Sequence, residues 1–333
     1  MTSSAVIEKE LSDLRSKCTS QIEGSEVITC HPAQIRVQIT KTKYKKLVVC
    51  LQFPADGYPS NAIVIEIKSK TIPERLCNGF TTICDAEAKK LCGKPHVLDI
   101  LLFIRKFLDD NPFTVCSDEL AFIKKELITD NDEIKTKQKA GVITLHLKVQ
   151  EYFVKLKCKV PNEYPEHPIS VELDDSNFPG LFKTMFVAQA TELARRRVQP
   201  PLKKPKPGEP PFEPKPSLRH VVEYLVKDCI RRFPVLPCPV CKERAFPKKP
   251  EHVINDPKSG RHVEWMYCGH VYHHGCVDAY MKIPPFTGGK KCPDCGKRIY
   301  HDKWNIAPKL SEDRWAHEQA RQREIDEVVE FLS

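Results

Sequence analysis

Long hydrophobic runs are missing from this 333-residue chain. The longest, "VLDILLFI" at 97–104, falls far short of the ~18 apolar residues a membrane helix needs, so no membrane span is expected. The N-terminal "MTSSAVIEKELSDLRSKC" is charged and periodic, and it reads as neither a signal nor a transit peptide. The expectation is a soluble, intracellular protein, cytoplasmic or nuclear. An excess of one charge is lacking too: 53 basic against 44 acidic residues leave a net +9. That balance helps an encounter with an acidic partner, but it lacks the dense basic stripe of a nucleic-acid binder. The basic runs are short, Arg195, Arg196 and Arg197 and then Lys203, Lys204 and Lys206, with no interleaved aromatic platform. They read as a solvated loop, and nucleic acid is not an expected partner. With no secretory signal, fifteen cysteines, an odd number, do not read as a disulfide scaffold.

The cysteines that are present are unevenly spread. Nine are scattered through the first 229 positions and six fall within 238–295. Hydrophobic residues make up 41%, enough to build real cores over two or three domains. Periodicity predicts a helix over 5–18, with Val6, Ile7, Leu11 and Leu14 on one side. Alternation and β-branched content predict strands at "EVITCH", "QIRVQI", "KLVVCLQF" and "AIVIEI". Helices follow over about 73–91 and 96–110, and Pro112 interrupts the chain soon after.

The pattern then repeats. "SDELAFIKKELI" (117–128) is a helix with Ser117 as its N-cap. "VITLHLKV", "YFVKLKCKV" and "ISVEL" are strands, and "PNEYPEHP" between the last two matches "PADGYPSN" of the first copy. Helices over 180–198 and 217–233 complete the second copy. Between them, the proline-dense, charged segment 199–216 is an exposed spacer. Tyr58-Pro59 and Tyr164-Pro165 lie 106 residues apart.

On this element order and on the Tyr-Pro turn, residues 1–233 resemble two copies of the RWD domain, a relative of ubiquitin-conjugating enzymes without their active site. The resemblance implies an α-ββββ-αα fold for 1–114 and again for 115–233. Where the family turn carries a second proline, five places after the tyrosine, this chain has Ile63 and Ile169, with Pro168 one place earlier. The His-Pro-Asn segment of a working conjugating enzyme is absent. Cys77, Cys84 and Cys92 therefore read as small buried hydrophobes rather than nucleophiles.

The remaining cysteines form a pattern. Cys238, Cys241, Cys268, His270, His273 or His274, Cys276, Cys292 and Cys295 run as C-x2-C-x26-C-x1-H-x2-H-x2-C-x15-C-x2-C. Eight soft or borderline donors suffice for two tetrahedral zinc ions. HxxC spacing favours His273 over His274, and His252, His262 and His301 fall outside the pattern as surface residues. "NDPKSGRHVEW" reads as a hairpin about its Pro-Gly turn, and "VDAYMKI" as a short helix.

This array is similar to the RING finger in its two-histidine form, placed at 234–306. The resemblance implies an interleaved cross-brace: Cys238, Cys241, His273 and Cys276 on one structural zinc, Cys268, His270, Cys292 and Cys295 on the other. The fold class expected for the whole is α+β: two RWD-like domains, a small zinc-stabilised RING and a helix over 307–333. The resemblance also implies a ubiquitin ligase that docks a loaded conjugating enzyme and acts through proximity, with no covalent intermediate. The docking surface would be Val240, Tyr280 and Pro293, and the RWD-like domains would bind a protein substrate or adaptor. Tandem RWD-like domains ahead of a RING are similar in arrangement to the Fanconi anaemia type of ligase. Gly296 stands where strong RING ligases carry a basic residue, with Lys297 and Arg298 next. That position favours the alternative, a non-catalytic zinc-stabilised interaction adaptor. In "SEDRWAHEQARQREIDEVVEFLS", Ser311, Glu312 and Asp313 favour a helix start, and Ile325, Val328, Val329 and Leu332 line one stripe. Packing of that stripe on the body is expected, with a dimer or partner seam as the alternative.

Overall fold

The computed structural model describes residues 3–55, 57–201, 210–304 and 308–332. Lys203, Lys204 and Lys206, in the middle of the 199–216 segment, lie outside the described residues. The chain divides into two compact units. One comprises 1–146, 155–174 and 185–224, the other 147–154, 175–184 and 225–333. No helix among the described residues is long and apolar enough to cross a membrane.

The first unit begins with helix α1 (Ser3–Gln21), which buries Leu11, Leu14 and Cys18 at helical spacing. An antiparallel meander follows: β1 (Ser25–His31), β2 (Gln34–Thr42), β3 (Lys45–Gln52) and β4 (Val64–Lys68), in that order across the sheet. Alternation turns Ile35, Val37, Ile39, Leu47, Val49, Leu51, Ile65 and Ile67 inward. Helices α2 (Glu74–Lys90) and α3 (Val97–Asp110) complete the core with Phe80, Cys84, Ile100, Leu101 and Ile104. Each such aliphatic or aromatic side chain contributes about 1.5–3 kcal/mol by leaving water. Burial pushes the Cys84 thiol up to about 12 and raises that of Cys77, so neither is a nucleophile at neutral pH. Cys92 is half-buried.

The element order then recurs. Helix α4 (Ser117–Phe122) runs on through a π turn, Ile123–Leu127. Ser117 is not its N-cap. A 3₁₀ turn, Pro112–Cys116, feeds straight into the helix, so Ser117 already has helical φ −58° and ψ −41°. A capping side chain needs an extended backbone there. Strands β5 (Glu133–Lys137), β6 (Val142–Val149), β7 (Tyr152–Lys159) and β8 (Ser170–Ser176) form a second sheet in sequential order. β5, "EIKTK", goes beyond the sequence expectation. It is an edge strand paired antiparallel to β6, polar as edges tend to be, so hydrophobic alternation passes over it. Helices α5 (Gly180–Val198) and α6 (Leu218–Tyr224) close the repeat, and α6 continues into a π turn, Leu225–Ile230.

Both copies share a polar clasp built on the tyrosine of the Tyr-Pro turn. Tyr58 Oη donates to Glu10 of α1 and accepts the His96 amide at 3.1 Å, at the start of α3. Glu10 also accepts the Val97 amide at 3.3 Å. In the second copy Tyr164 Oη donates to Glu119 of α4 at 2.5 Å. It accepts the Ser217 and Leu218 amides at 2.8 and 3.0 Å, while Glu119 accepts the Arg219 amide at 2.9 Å. First-turn amides have no intrahelical partner, so each Tyr–Glu pair satisfies the start of the copy's last helix. Ile63 and Ile169, five places after the two tyrosines, are 3% and 2% exposed and fill core positions. The arginine run is partly paired. Arg195 and Arg196 both bind Glu192, at 2.7 and 2.8 Å, and Arg197 Nε donates to the Pro216 carbonyl at 3.2 Å.

The second unit holds an aromatic cluster in which Phe246 lies 5.6, 6.0 and 4.9 Å, ring to ring, from Tyr152, Phe178 and Phe182. Beyond it come a short hairpin, β9 (Val263–Trp265) with β10 (Val271–His273), then helices α7 (His274–Met281) and α8 (Pro308–Leu332).

Candidate metal centre

Two segments of the second unit are built alike. In "CPVC" the Lys242 amide donates to the Cys238 carbonyl at 2.8 Å, and the Cys238 amide to the Glu243 carbonyl at 2.7 Å. In "CPDC" the Gly296 amide donates to Cys292 at 2.9 Å, and the Cys292 amide to Lys297 at 2.7 Å. Each is a tight knuckle whose fifth residue turns left-handed: Lys242 at φ 62°, Gly296 at φ 70°. Glycine adopts that conformation without strain, which accounts for Gly296. A Lys242–Asp294 ion pair at 2.6 Å joins the two knuckles.

The third donor segment is the turn of the β9–β10 hairpin. The Met266 amide donates to the His270 carbonyl at 3.0 Å and the Gly269 amide to Met266 at 2.8 Å, so Cys268 and His270 sit at the tip. His273 ends β10, and Cys276 lies in the first turn of α7. The sequence predicts a hairpin inside "NDPKSGRHVEW" itself. That segment does turn, with Ser259 and His262 amides donating to Asp256 and Ser259. Yet the strand after it pairs forward, across Cys268-Gly269-His270, because the Gly269 φ of 87° makes the tighter reversal there.

These elements gather two sets of donors. Cys238, Cys241, His273 and Cys276 form one, and Cys268, His270, Cys292 and Cys295 the other, with ligand atoms within 4.8 Å of one another in each. Around a tetrahedral zinc, a sulfur and a nitrogen stand about 3.6 Å apart at ordinary bond lengths. Here His273 Nδ1 lies 3.3 and 3.8 Å from the sulfurs of Cys241 and Cys276. His270 Nδ1 lies 3.7 and 3.6 Å from those of Cys268 and Cys292. Both sets therefore fit a zinc ion each. Protonation argues the same way. Burial and neighbouring thiolates push Cys276 up to about 12 and Cys268 up to about 11. Burial also opposes charge on Cys238, but hydrogen bonds, that of His273 foremost, hold it down at about 6. Thiolates this crowded repel one another until a divalent cation sits among them. The buried Tyr272 hydroxyl has no oxygen or nitrogen partner among the described residues. It lies against Cys292, where it favours the thiolate against the effect of burial.

His274 is not in either set. Its Nδ1 faces the buried Glu264 carboxylate at 3.0 Å, which Lys303 also binds. His301 approaches the same carboxylate at 3.6 Å, and its ring centroid lies 4.8 Å from that of Trp304, the rings tilted at 55°. It is thus a half-buried structural residue rather than a surface one. His262 is tied to the Ile254 carbonyl at 2.9 Å. Replacing His273 by alanine lowers the zinc content from two ions per chain, and replacing His274 leaves it at two. Metal analysis of the purified variants checks this, and equal losses would overturn the assignment.

Of the docking trio, Val240 is half-buried, Pro293 exposed and Tyr280 half-buried. Tyr280 Oη donates to the Lys291 carbonyl at 2.9 Å, and Lys290 Nζ lies 4.6 Å from its ring centroid. The ring therefore also braces the loop before Cys292. The clasp glutamates Glu10 and Glu119 were missed in sequence. Their signal is a shared Glu-Leu dipeptide, Glu10-Leu11 and Glu119-Leu120, in the opening helix of each copy.

Comparison with known families agrees with this geometry. Residues 5–108 match the RWD domain, and residues 238–295 match the zinc finger, C3HC4 type (RING finger). That type names one histidine, whereas the clusters here bring together His270 and His273. The chain thus carries an RWD domain on its N-terminal side and a zinc-binding RING finger ahead of its C-terminal helix.

Proposed function

We propose that the chain is a RING-type ubiquitin ligase of the two-histidine form, docking a ubiquitin-loaded conjugating enzyme on Val240, Tyr280 and Pro293. The observation that carries this reading is the pairing of the knuckles. Val240 and Pro293 stand on two knuckles of one build, and Lys242–Asp294 ties these together. A small apolar patch on such a rigid frame suits a docking anchor. No side chain of the frame attacks ubiquitin; the contribution is orientation of the thioester. Residues 1–114 and 115–233 would select substrate or adaptor, as the likeness in arrangement to the Fanconi anaemia ligase catalytic subunit suggests. The RING would span 234–306.

The test is ubiquitin discharge to free lysine from a panel of loaded conjugating enzymes, using zinc-replete protein. Discharge that Val240→Ala abolishes, with both zinc ions retained, supports the reading. No discharge with any enzyme favours the adaptor, which the absence of a basic residue at Gly296 suggests. Gly296→Arg sharpens the distinction. No atom lies within 4 Å of a Cβ added there, and Lys242 holds the same conformation in the other knuckle. The substitution costs about 1 kcal/mol of backbone strain and raises discharge if docking is intact.

A further inference from the structure

The stripe on α8 is not packed on the body. Ile325, Val329 and Leu332 are 46%, 60% and 77% exposed, which overturns the expected packing. Nearer its start the same helix borders a groove of about 910 Å³, facing α7 and the segments after it. Ser311, Trp315 and Glu318 of α8 line that groove. Steps of three and four residues continue their row through Gln322, Ile325, Val329 and Leu332, so groove and stripe share one helix face. The opposite wall is aromatic and cationic. Tyr267 and Tyr300 are 69% and 55% exposed, and Arg298 lies 5.0 Å over the Tyr300 ring. Neither Arg298 nor Arg314, both at the groove, has a carboxylate partner among the described residues. The tail of the helix has the complementary charge: Glu324, Asp326, Glu327 and Glu330, with no cation between 324 and 332.

We propose that the exposed end of α8 docks in the aromatic, basic groove of a second copy of this chain, and that copy's helix end in this one. The tail cannot reach its own groove. It continues the helix that forms one wall, and at ~1.5 Å per residue Leu332 stands about 20 Å beyond Gln319. A two-fold antiparallel pairing of the α8 helices lays each stripe across the other's groove. It closes the assembly with one self-complementary surface. Apolar side chains cover the aromatic wall, while the four carboxylates meet Arg298 and Arg314. The pairing does not depend on ligase activity.

Sedimentation of the full zinc-loaded chain tests the pairing. At concentrations on the order of 10–100 µM, the expected mass is twice that of the chain. Val329→Asp, on an exposed position, returns the mass to that of one chain with zinc content unchanged. Arg298→Glu combined with Arg314→Glu weakens association about tenfold or more, as does high salt. Ile28→Asp, on the exposed edge strand of the first sheet, leaves the dimer intact. A single-chain mass throughout that range overturns the proposal, as does a dimer indifferent to Val329→Asp. So does a monomer whose groove instead binds single-stranded RNA, detected by quenching of the tryptophans.

Discussion

Stripping zinc from the protein with a chelator unfolds residues 238–300 and leaves the first sheet intact. The segment has few buried apolar side chains of its own, among them Val263, Met266, Val271, Val277, Phe286 and Ile299. A structural zinc ion contributes about 10–16 kcal/mol to such a fold, against a total stability of about 5–15 kcal/mol for an ordinary domain. The loss is therefore complete rather than partial. It is also shared between the two sites. β10 (Val271–His273) joins His270, just before it and in one cluster, to His273 in the other, so a hairpin freed at one end no longer places the other. Cys292→Ser, at a buried ligand, is expected to weaken both sites although it touches one. The sequence supplies the probe. Trp265 lies in this segment, Trp304 and Trp315 follow it, and residues 1–237 hold no tryptophan, so emission reports on the C-terminal part of the chain and not on the first sheet. A red shift on chelation, with circular dichroism of the first sheet retained, is the expected outcome. Unchanged emission in protein shown to hold no zinc would sink the cross-brace account.

The second large effect lies at the clasp. Tyr164→Phe leaves the Ser217 and Leu218 amides without their acceptor and removes the hydroxyl that Glu119 accepts. Each orphaned buried group costs about 1–3 kcal/mol, and more for a charged one, so a loss of about 3 kcal/mol or more is expected. Tyr58→Phe orphans one amide, that of His96, and is the milder change. The pH dependence has a definite sign. Burial raises the Glu119 carboxyl above its ordinary value, while Tyr164, the Arg219 amide and nearby guanidiniums draw it part of the way back. The folded chain thus holds this proton more tightly than the unfolded one. Stability from this group is full below the ordinary value of 4.5 and falls as pH rises through the folded value. Removing the hydroxyl widens that window, so the deficit of Tyr164→Phe grows from acid to neutral pH. Urea unfolding at both pH values, with hydrogen exchange at the 217–219 amides, measures it. Equal exchange in the two proteins would show that the clasp does not hold the helix start.

The fold and the site were legible to different depths, for reasons visible in single elements. Strands β2 and β3 announce themselves because one face is buried and the alternation is clean. Edge strand β5 does not, since its side chains answer to solvent. Ser117 has the composition of a cap, but the turn before it, Pro112–Cys116, decided the backbone. The π turns that end α4 and α6 carry no composition signal at all. Glu10 and Glu119 read as ordinary polar residues on amphipathic helices. Only the approach of a tyrosine 45 or 48 residues away makes them structural.

Residue types and their spacing were enough to specify the metal chemistry. Thiolate and imidazole donors at knuckle spacing have few other uses, and their order alone counts two ions. Sequence also specified the repeat, since hydrophobic period and turn residues are local properties. Tertiary structure decided what depends on distant approach. It set His273 among the cysteines and His274 against Glu264. It paired the hairpin across Gly269 rather than within the preceding turn. It also left the apolar stripe at the end of α8 exposed. A helical stripe shows that a face can be buried; only the position of everything else shows whether it is.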